Sequence, residues 1–379
     1  MKPLRILTIS NCPLVASQGS GYIITNFCKG LRQLGHEVDL FGPRDYEPLQ
    51  AAQGRAKSYR QSLGLVPFTL NQLRRNSYDI VEFYGAEAWL IMTILSAIPN
   101  RNFLIVSHSN GLETQMTEVM TQYRTILKES RKWYQFDQSR VFIRAFTQAD
   151  GLVLVSHNDG KYALRHQYAT PHRLQVIENA LPDSYLGLEV SFQRPKVIGF
   201  CGSWLPLKGI ALMQEVLPKL LREFPEWSIK LIGVGKTFRE ETIFPPTLCE
   251  RIEVIPFVND KAKLRQIYES LAILIAPSVY ESFGLVTTEA MACGCAVVGN
   301  KTGYMAHLIP REQVMIMENY SSSSLYQALR ELIQDESLRQ KIACRGYERV
   351  QSLKWSSSIE CLENTYQRWL TEFRNHQQR

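Results

Sequence analysis

The sequence predicts an α/β protein built from two doubly wound parallel sheets. Three observations carry this expectation. Short apolar runs recur along the 379 residues, each followed by a longer segment with helical periodicity. The runs are apolar throughout rather than alternating, which marks strands buried on both faces of a parallel sheet. The series breaks once at a proline-bearing stretch and then restarts, as a chain too long for one ordinary core would require.

The elements follow in order. LRILTIS (4–10) reads as a strand, and YIITNFCKGLRQLG (22–35) as an amphipathic helix closed by glycine. HEVDLFGP (36–43) is the next strand, then DIVEFYG (79–85), FLIVSHS (103–109) and GLVLVS (151–156). LQVIEN (174–179) closes the first series. ENALPDSYLGLEVSFQRP (178–195) carries the prolines and loses periodicity, so the boundary is expected there. The second series opens with KVIGFCG (196–202) and a helix over 209–224. SIKLIGVG (228–235), RIEVIPFV (251–258), LAILIAP (271–277) and CAVVGN (295–300) follow as strands. Beyond Ser321 the chain reads as helical, with the serines at 321–324 as a cap or loop. The expected domains are 1–188, 189–353, and a last helix over 354–379 that crosses back to the first domain.

The formal net charge of +7 is mildly basic. It suits an anionic ligand, a phosphate-bearing substrate or an acidic membrane surface without selecting among them. The eight cysteines form no paired framework, which fits a reduced, cytoplasmic protein. Cys293 and Cys295 flank a glycine with no histidine at ligand spacing, so no metal site is expected; small buried residues in a helix-to-strand turn are the better reading. The N-terminus does not read as a signal peptide. AWLIMTILSAI (88–98) is too short to span a bilayer.

Five stretches can carry chemistry. In APSVYESFGLVTTEAMACGCAVV (276–298), Glu281 lies in the loop at the carboxyl end of a strand, where open α/β sheets bind ligands. Ser282 follows it. The amides of Phe283, Gly284 and Leu285 point out of a helix N-terminus, which attracts phosphate, and Glu289 lies in that helix. In GFCGSWLPLKGIALMQEVLPKLL (199–221), Gly202 and Ser203 leave a strand and Lys208 opens a helix. A cation is unfavourable at that end of a helix, which favours a ligand as its partner. Gly19, Ser20 and Gly21 form either an ordinary βα turn or a loop that cradles phosphate. SHSNGLE (107–113), at the end of a strand, puts His108, Asn110 and Glu113 near the expected cleft, His108 being either structural or catalytic. Arg124, Lys128 and Lys132 share a helical face, with Arg131, Trp133 and Tyr134 beside it. That face is either solvated or rests on anionic lipid or an anionic acceptor. No nucleic-acid module is visible.

Together these residues resemble the retaining glycosyltransferases of family 4, over nearly the whole chain. The segment from Glu281 to Gly294 is similar to that family's E-x7-E motif. RQLGHEVDLFG resembles the end of its first helix, and ENAL (178–181) its loop before the hinge. The resemblance implies the GT-B fold, two Rossmann-like domains facing a cleft. It implies that Glu289 holds the ribose of a nucleotide sugar and Glu281 the transferred sugar. The 283–285 amides and Lys208 would bind the diphosphate without a metal, and the Gly19–Gly21 loop would close over the donor. Two positions depart from the family pattern. Ser203 stands where an arginine is usual, which either lowers activity or moves its role to Arg173 or Lys161. Asn110 stands where the family often has histidine.

The function expected is retaining transfer of a sugar from a nucleoside diphosphate to a hydroxyl of a glycan, lipid-linked or small-molecule acceptor, as in polysaccharide biosynthesis. No cofactor beyond the nucleotide-sugar donor is expected. The expected location is the cytoplasm, with peripheral contact at the inner face of the membrane as one option. The alternatives are a catalytically degenerate nucleotide-binding scaffold, a nucleotide-sugar epimerase of the same fold, or a glycosidase that uses the two carboxylates.

Overall fold

The computed structural model describes residues 2–15, 19–47, 57–127, 141–235 and 238–377. The chain divides into two compact units: Met1–Thr117, Lys132–Asn179 and Trp355–Arg379 form one, and Glu118–Arg131 and Ala180–Lys354 the other.

The first unit holds a six-stranded sheet of β1 (Arg5–Ser10), β2 (Glu37–Phe41), β3 (Ile80–Tyr84), β4 (Leu104–Ser109), β5 (Gly151–Leu154) and β6 (Leu174–Val176). The order is β2-β1-β3-β4-β5-β6, and every neighbouring pair is parallel. Both β3 and β4 are buried at every position, which is why their sequences do not alternate. Helix α1 (Gly19–Gln33) follows β1, and the chain leaves it through Gly35 at φ +92°. Helix α2 (Lys57–Arg75) carries Pro67 inside it. Helix α3 (Trp89–Ser96) sends Ile91, Met92 and Leu95 into a core shared with Val81, Phe83 and Ile105. Helix α4 (His157–Arg165) is capped by Ser156, whose Oγ accepts from the Asp159 amide at 3.1 Å.

The second unit repeats the plan. Strands β7 (Val197–Cys201), β8 (Ser228–Ile232), β9 (Ile252–Ile255), β10 (Ile273–Ala276), β11 (Ala296–Gly299) and β12 (Met315–Ile316) run parallel in the order β12-β11-β10-β7-β8-β9. Its helices are α5 (Ile210–Glu223), α6 (Lys261–Glu269), α7 (Leu285–Ala292), α8 (Ser322–Gln334) and α9 (Glu336–Val350). Leu212, Val216 and Leu220 of α5 share a core with Leu325, Leu329 and Leu332 of α8 and with Ile198 and Ile229 of the sheet. Ser321 caps α8, accepting from the Ser324 amide at 3.1 Å. Cys293 and Cys295 are buried in the turn from α7 to β11, where Cys295 Sγ donates to the Tyr268 carbonyl at 3.1 Å.

Strand order reverses between β1 and β3 in the first sheet and between β7 and β10 in the second. At such points neighbouring loops part, leaving a crevice at the carboxyl ends of the strands.

The last helix, α10 (Trp355–Gln377), packs within the first unit. Trp355 meets Phe27 and Tyr22 edge-on at 5.2 and 5.8 Å, and its Nε1 donates to the Tyr22 hydroxyl at 3.2 Å. The helices approach closely because α1 has Gly30 there; a Cβ at that position would lie 2.0 Å from Ile359 Cδ1. His36 ties the region together. Its Nδ1 accepts from the Leu4 amide at 3.1 Å, so Nε2 carries the hydrogen that Glu363 accepts at 3.1 Å.

Among the described residues no helix is long and apolar enough to cross a membrane. Lys128, Arg131, Lys132, Trp133 and Tyr134 lie outside the described residues, and of that basic face only Arg124 is placed, opening the short helix Arg124–Leu127.

Candidate functional site

In the second unit the predicted residues converge on the reversal between β7 and β10. Gly202, at φ +142°, and the exposed Ser203 lead out of β7. Trp204 turns away to pack edge-on against Phe200 and Phe238 at 5.5 and 5.0 Å. Lys208 ends a single 3-10 turn, and Gly209 follows at φ +77°. A Cβ on Gly209 would come within 2.2 Å of the Pro277 carbonyl, so only glycine lets these two loops meet. That approach carries Lys208 to the loop after β10, where its Nζ donates to Glu281 Oε1 at 2.5 Å. Ser278 Oγ donates to the same oxygen at 2.8 Å, and the Glu281 amide donates to Thr302 Oγ1 at 2.9 Å. Both side chains of the Lys208–Glu281 pair stay partly exposed, at 28% and 21%.

Helix α7 begins beside this pair. Its N-cap is Gly284 at φ +92°, which offers no capping side chain; the Thr287 and Thr288 amides donate to the Gly284 carbonyl, and those of Leu285 and Val286 face out of the helix end. Ser282 and Phe283 are buried, and the Phe283 carbonyl accepts from the Tyr304 amide at 2.7 Å. Glu289 is only 2% exposed. Lys261 Nζ donates to its Oε1 at 2.5 Å, and the Tyr268 hydroxyl donates to Oε2 at 3.5 Å. Burial pushes the Glu289 carboxyl up, against the pull of Lys261 and then Tyr268. The arrangement is therefore two carboxylates, each held by a lysine, on either side of an open helix N-terminus. Chemically it can take an anion at the helix end and hydroxyl groups at the carboxylates.

Sequence reasoning missed Lys261, Tyr268, Ser278 and Thr302. Lys261 alone left a local signal: a cation directly after the helix cap Asp260, where the helix dipole disfavours it.

In the first unit, the reversal between β1 and β3 brings Asn11 Nδ2 to Glu87 Oε2 at 2.8 Å, across Gly85 at φ +94°. Burial, then Glu87, pushes the Glu113 carboxyl up to about 8. Asn110 is half-buried in the turn that follows β4. The structure corrects the setting expected of two other groups. His108 does not reach out of a strand end. It is 3% exposed, stacked on Tyr84 at 4.3 Å, with Nε2 at 2.7 Å from the Tyr366 hydroxyl and 3.0 Å from Glu82 Oε2. The alternation along β4 turns its ring under α10, so the structural alternative describes it. Gly19, Ser20 and Gly21 are not a loop but the opening turn of α1. Gly21 is there because a Cβ would lie 2.5 Å from the Pro13 carbonyl. Both residues offered in place of the arginine missing at Ser203 belong to the first unit. The Arg173 guanidinium donates to the carbonyls of Asp150 and Ala149, and Lys161 is exposed on α4, both in the first unit.

Two parallel doubly wound sheets, with paired carboxylates and a bare helix end at one strand reversal, define a protein of two Rossmann-like units with a candidate site in the second. Comparison with known proteins gives the family. The model of Glycosyltransferase Family 4 matches residues 17–185, and that of Glycosyl transferases group 1 matches residues 189–349. The chain belongs to the family 4 glycosyltransferases of GT-B fold. It is 23% identical over 240 residues to the D-inositol 3-phosphate glycosyltransferase of Rhodococcus jostii, covering 58% of this chain and 52% of that protein. It is 28% identical over 186 residues to the protein of the same name from Corynebacterium jeikeium, covering 46% and 44%. The chain thus spans about half the length of these curated relatives. Among solved structures, sucrose-phosphate synthase from Thermosynechococcus elongatus superposes with a TM-score of 0.77 at 18% identity, covering 97% of this chain and 100% of that one. HepE from Anabaena, solved with UDP and glucose, superposes with a TM-score of 0.67 at 17% identity, covering 96% and 99%. At these identities the superpositions speak for the fold.

Proposed function

We propose that this protein transfers a sugar from a nucleoside-diphosphate sugar to an acceptor hydroxyl, with retention at the anomeric carbon. The observation that carries the reading is the pair of glutamates flanking the bare N-terminus of α7, each already bonded to a lysine. The diphosphate sits at the helix end, against the amides at 283–285. Glu289 accepts from the ribose hydroxyls, and Glu281 from hydroxyls of the transferred sugar. Lys208 moves from Glu281 toward the phosphate that leaves. The bond from the anomeric carbon to the phosphate oxygen breaks, and a bond to the acceptor oxygen forms on the same face. The acceptor's proton goes to the departing diphosphate. Fixed amides and Lys208 stabilise the charge that develops there, without needing to reorganise during the reaction. Asn11, Glu87, Asn110 and Glu113 of the first unit line the acceptor side, where carboxyl and amide groups suit hydroxyls. Membrane-proximal or lipid-linked acceptors are compatible with the net charge of +7.

The reading is tested with a panel of UDP-, GDP- and ADP-sugars, with and without magnesium, followed by thermal unfolding. A ligand that binds only the native state raises Tm. One base is expected to stabilise the protein, and Glu289→Gln to remove the effect. Incubation with that donor and hydroxyl acceptors should then give a new glycoside whose anomeric configuration matches the donor. No stabilisation by any nucleotide sugar would refute the donor site.

A further inference from the structure

The reading above gives Lys261 no step of its own, yet three features set it apart. It is the first residue of α6, where the helix dipole makes a cation unfavourable by roughly 0.3–1 kcal/mol. Its backbone is fixed on two sides: Asp260 caps the helix by accepting from the Ala262 amide at 2.8 Å, and the buried Tyr185 donates its hydroxyl to the Lys261 carbonyl at 2.8 Å. Its side chain, 24% exposed, brings the ammonium to 2.5 Å from the carboxylate of a Glu289 side chain that is 3% exposed. A solvent-facing lysine has thus been fastened over a buried acid, 28 residues away in sequence.

We propose that Lys261 is a positioning residue for the nucleotide: it holds Glu289 anionic and fixes its carboxylate so that the pair reads the ribose hydroxyls. The proposal rests on the donor reading given above. The physical argument is that a buried carboxylate without a cation takes a proton, and a protonated carboxyl is a poor acceptor for two hydroxyls. The titratable groups facing Glu289 are Lys261 and Tyr268 of α6, Tyr185, Cys201 at the end of β7 and Cys293 at the end of α7. Burial raises Tyr268 well above its ordinary value and Cys201 to about 11, and it raises Tyr185 and Cys293 as well. All four are neutral near pH 7, so among these groups Lys261 is the cation that sets the charge of Glu289. Tyr268 steadies the other oxygen.

The test is calorimetric binding of UDP-, GDP- and ADP-glucose, each against its 2′-deoxyribose analogue, at about pH 6.5 and about pH 8.5. These probes carry diphosphate diesters that do not titrate between those values. The unsubstituted protein is expected to prefer the ribonucleotide at both. Lys261→Met should weaken ribonucleotide binding by roughly ten- to a hundred-fold at the lower pH and erase the ribose preference. Both should move back toward the unsubstituted values at the higher pH, which favours the carboxylate, and Lys261→Arg should behave as the unsubstituted protein. A merely structural lysine would not change the ribose preference with pH. A second measurement needs no variant. Binding at about pH 6.5 should release no proton from Glu289, read as a heat independent of buffer ionisation enthalpy. Lys261→Met with unchanged affinity and preference, or proton release on binding to the unsubstituted protein, overturns the proposal and leaves the donor site standing. Failure of the unsubstituted protein to bind any of the three donors overturns both.

Discussion

Glu281 and Glu289 share a motif but not an environment. Glu281 is partly open to solvent and shares one oxygen between Lys208 and Ser278, so its lysine can exchange a carboxylate for a phosphate at small cost. Lys208→Met should therefore lower kcat far more than it lowers stability. The loss of a charge stabilising the leaving group predicts about a hundred- to a thousand-fold in turnover, measured by single-turnover transfer, with Tm shifted by no more than a few degrees. Glu113 shows the opposite electrostatics. Its carboxyl is raised to about 8 in the folded protein, from an ordinary value of 4.5. The folded state therefore binds more protons than the unfolded chain between those values, and stability falls as pH rises from about 4.5 to about 8. Glu113→Gln removes this contribution, so its denaturation midpoint should depend less steeply on pH across that window. An equal slope in the two proteins would mean that Glu113 titrates normally.

At the scale of elements, helix α10 is held to the first sheet by a polar cluster as well as by apolar packing. Glu82 of β3 accepts from Thr8 Oγ1 at 2.5 Å and from Tyr366, and lies 3.0 Å from His108 Nε2. Burial alone would push the Glu82 carboxyl up, but His108, Thr8 and Tyr366 outweigh it and hold the group below its usual value. The sign follows: this contribution is fully present above the ordinary carboxylate pKa and is lost as pH falls through the lowered one. Tyr366→Phe removes one hydrogen bond to a charged group and should cost about 1.5–3 kcal/mol in urea unfolding. His108→Leu removes the ring nitrogen that faces Glu82 Oε2 at 3.0 Å, leaves a buried carboxylate short of a partner, and should cost about 1.5–3 kcal/mol. If neither variant moves the midpoint, the cluster does not anchor the helix. This setting was not legible in the sequence. SHSNGLE looked like a strand-end site because a strand's alternation does not say which face a later helix will cover. Helix α2 was equally hidden, since Pro67 interrupts the local signal that packing restores.

At the scale of the molecule, the last 25 residues in space belong to the first unit although they follow the second in sequence. Removing residues 355–379 would uncover Tyr22, Phe27 and the Glu82 cluster. The first unit should then lose protection from hydrogen exchange in β1, β3 and β4, while β7, β10 and β11 keep theirs. Equal loss in both sheets would contradict the division into two units. Donor binding should do the reverse, protecting residues 202–209 and 281–289 of the second unit.

The strands and most helices were determined by local sequence: apolar runs of buried β-strand length, glycine at helix ends, and Ser321 at a cap are decided within a few residues. The E-x7-E spacing likewise sufficed to put one carboxylate in a strand-end loop and the other in the helix that follows. The tertiary structure decided what those carboxylates touch. Lys208 lies 73 residues from Glu281 and Lys261 28 residues from Glu289, and each meets its partner only because β7 and β10 became neighbours and α6 packed beside α7. Local propensity carries no information about strand order. That is why the two glutamates could be found by reading the chain, whereas the cation that governs the buried one could be found only in the fold.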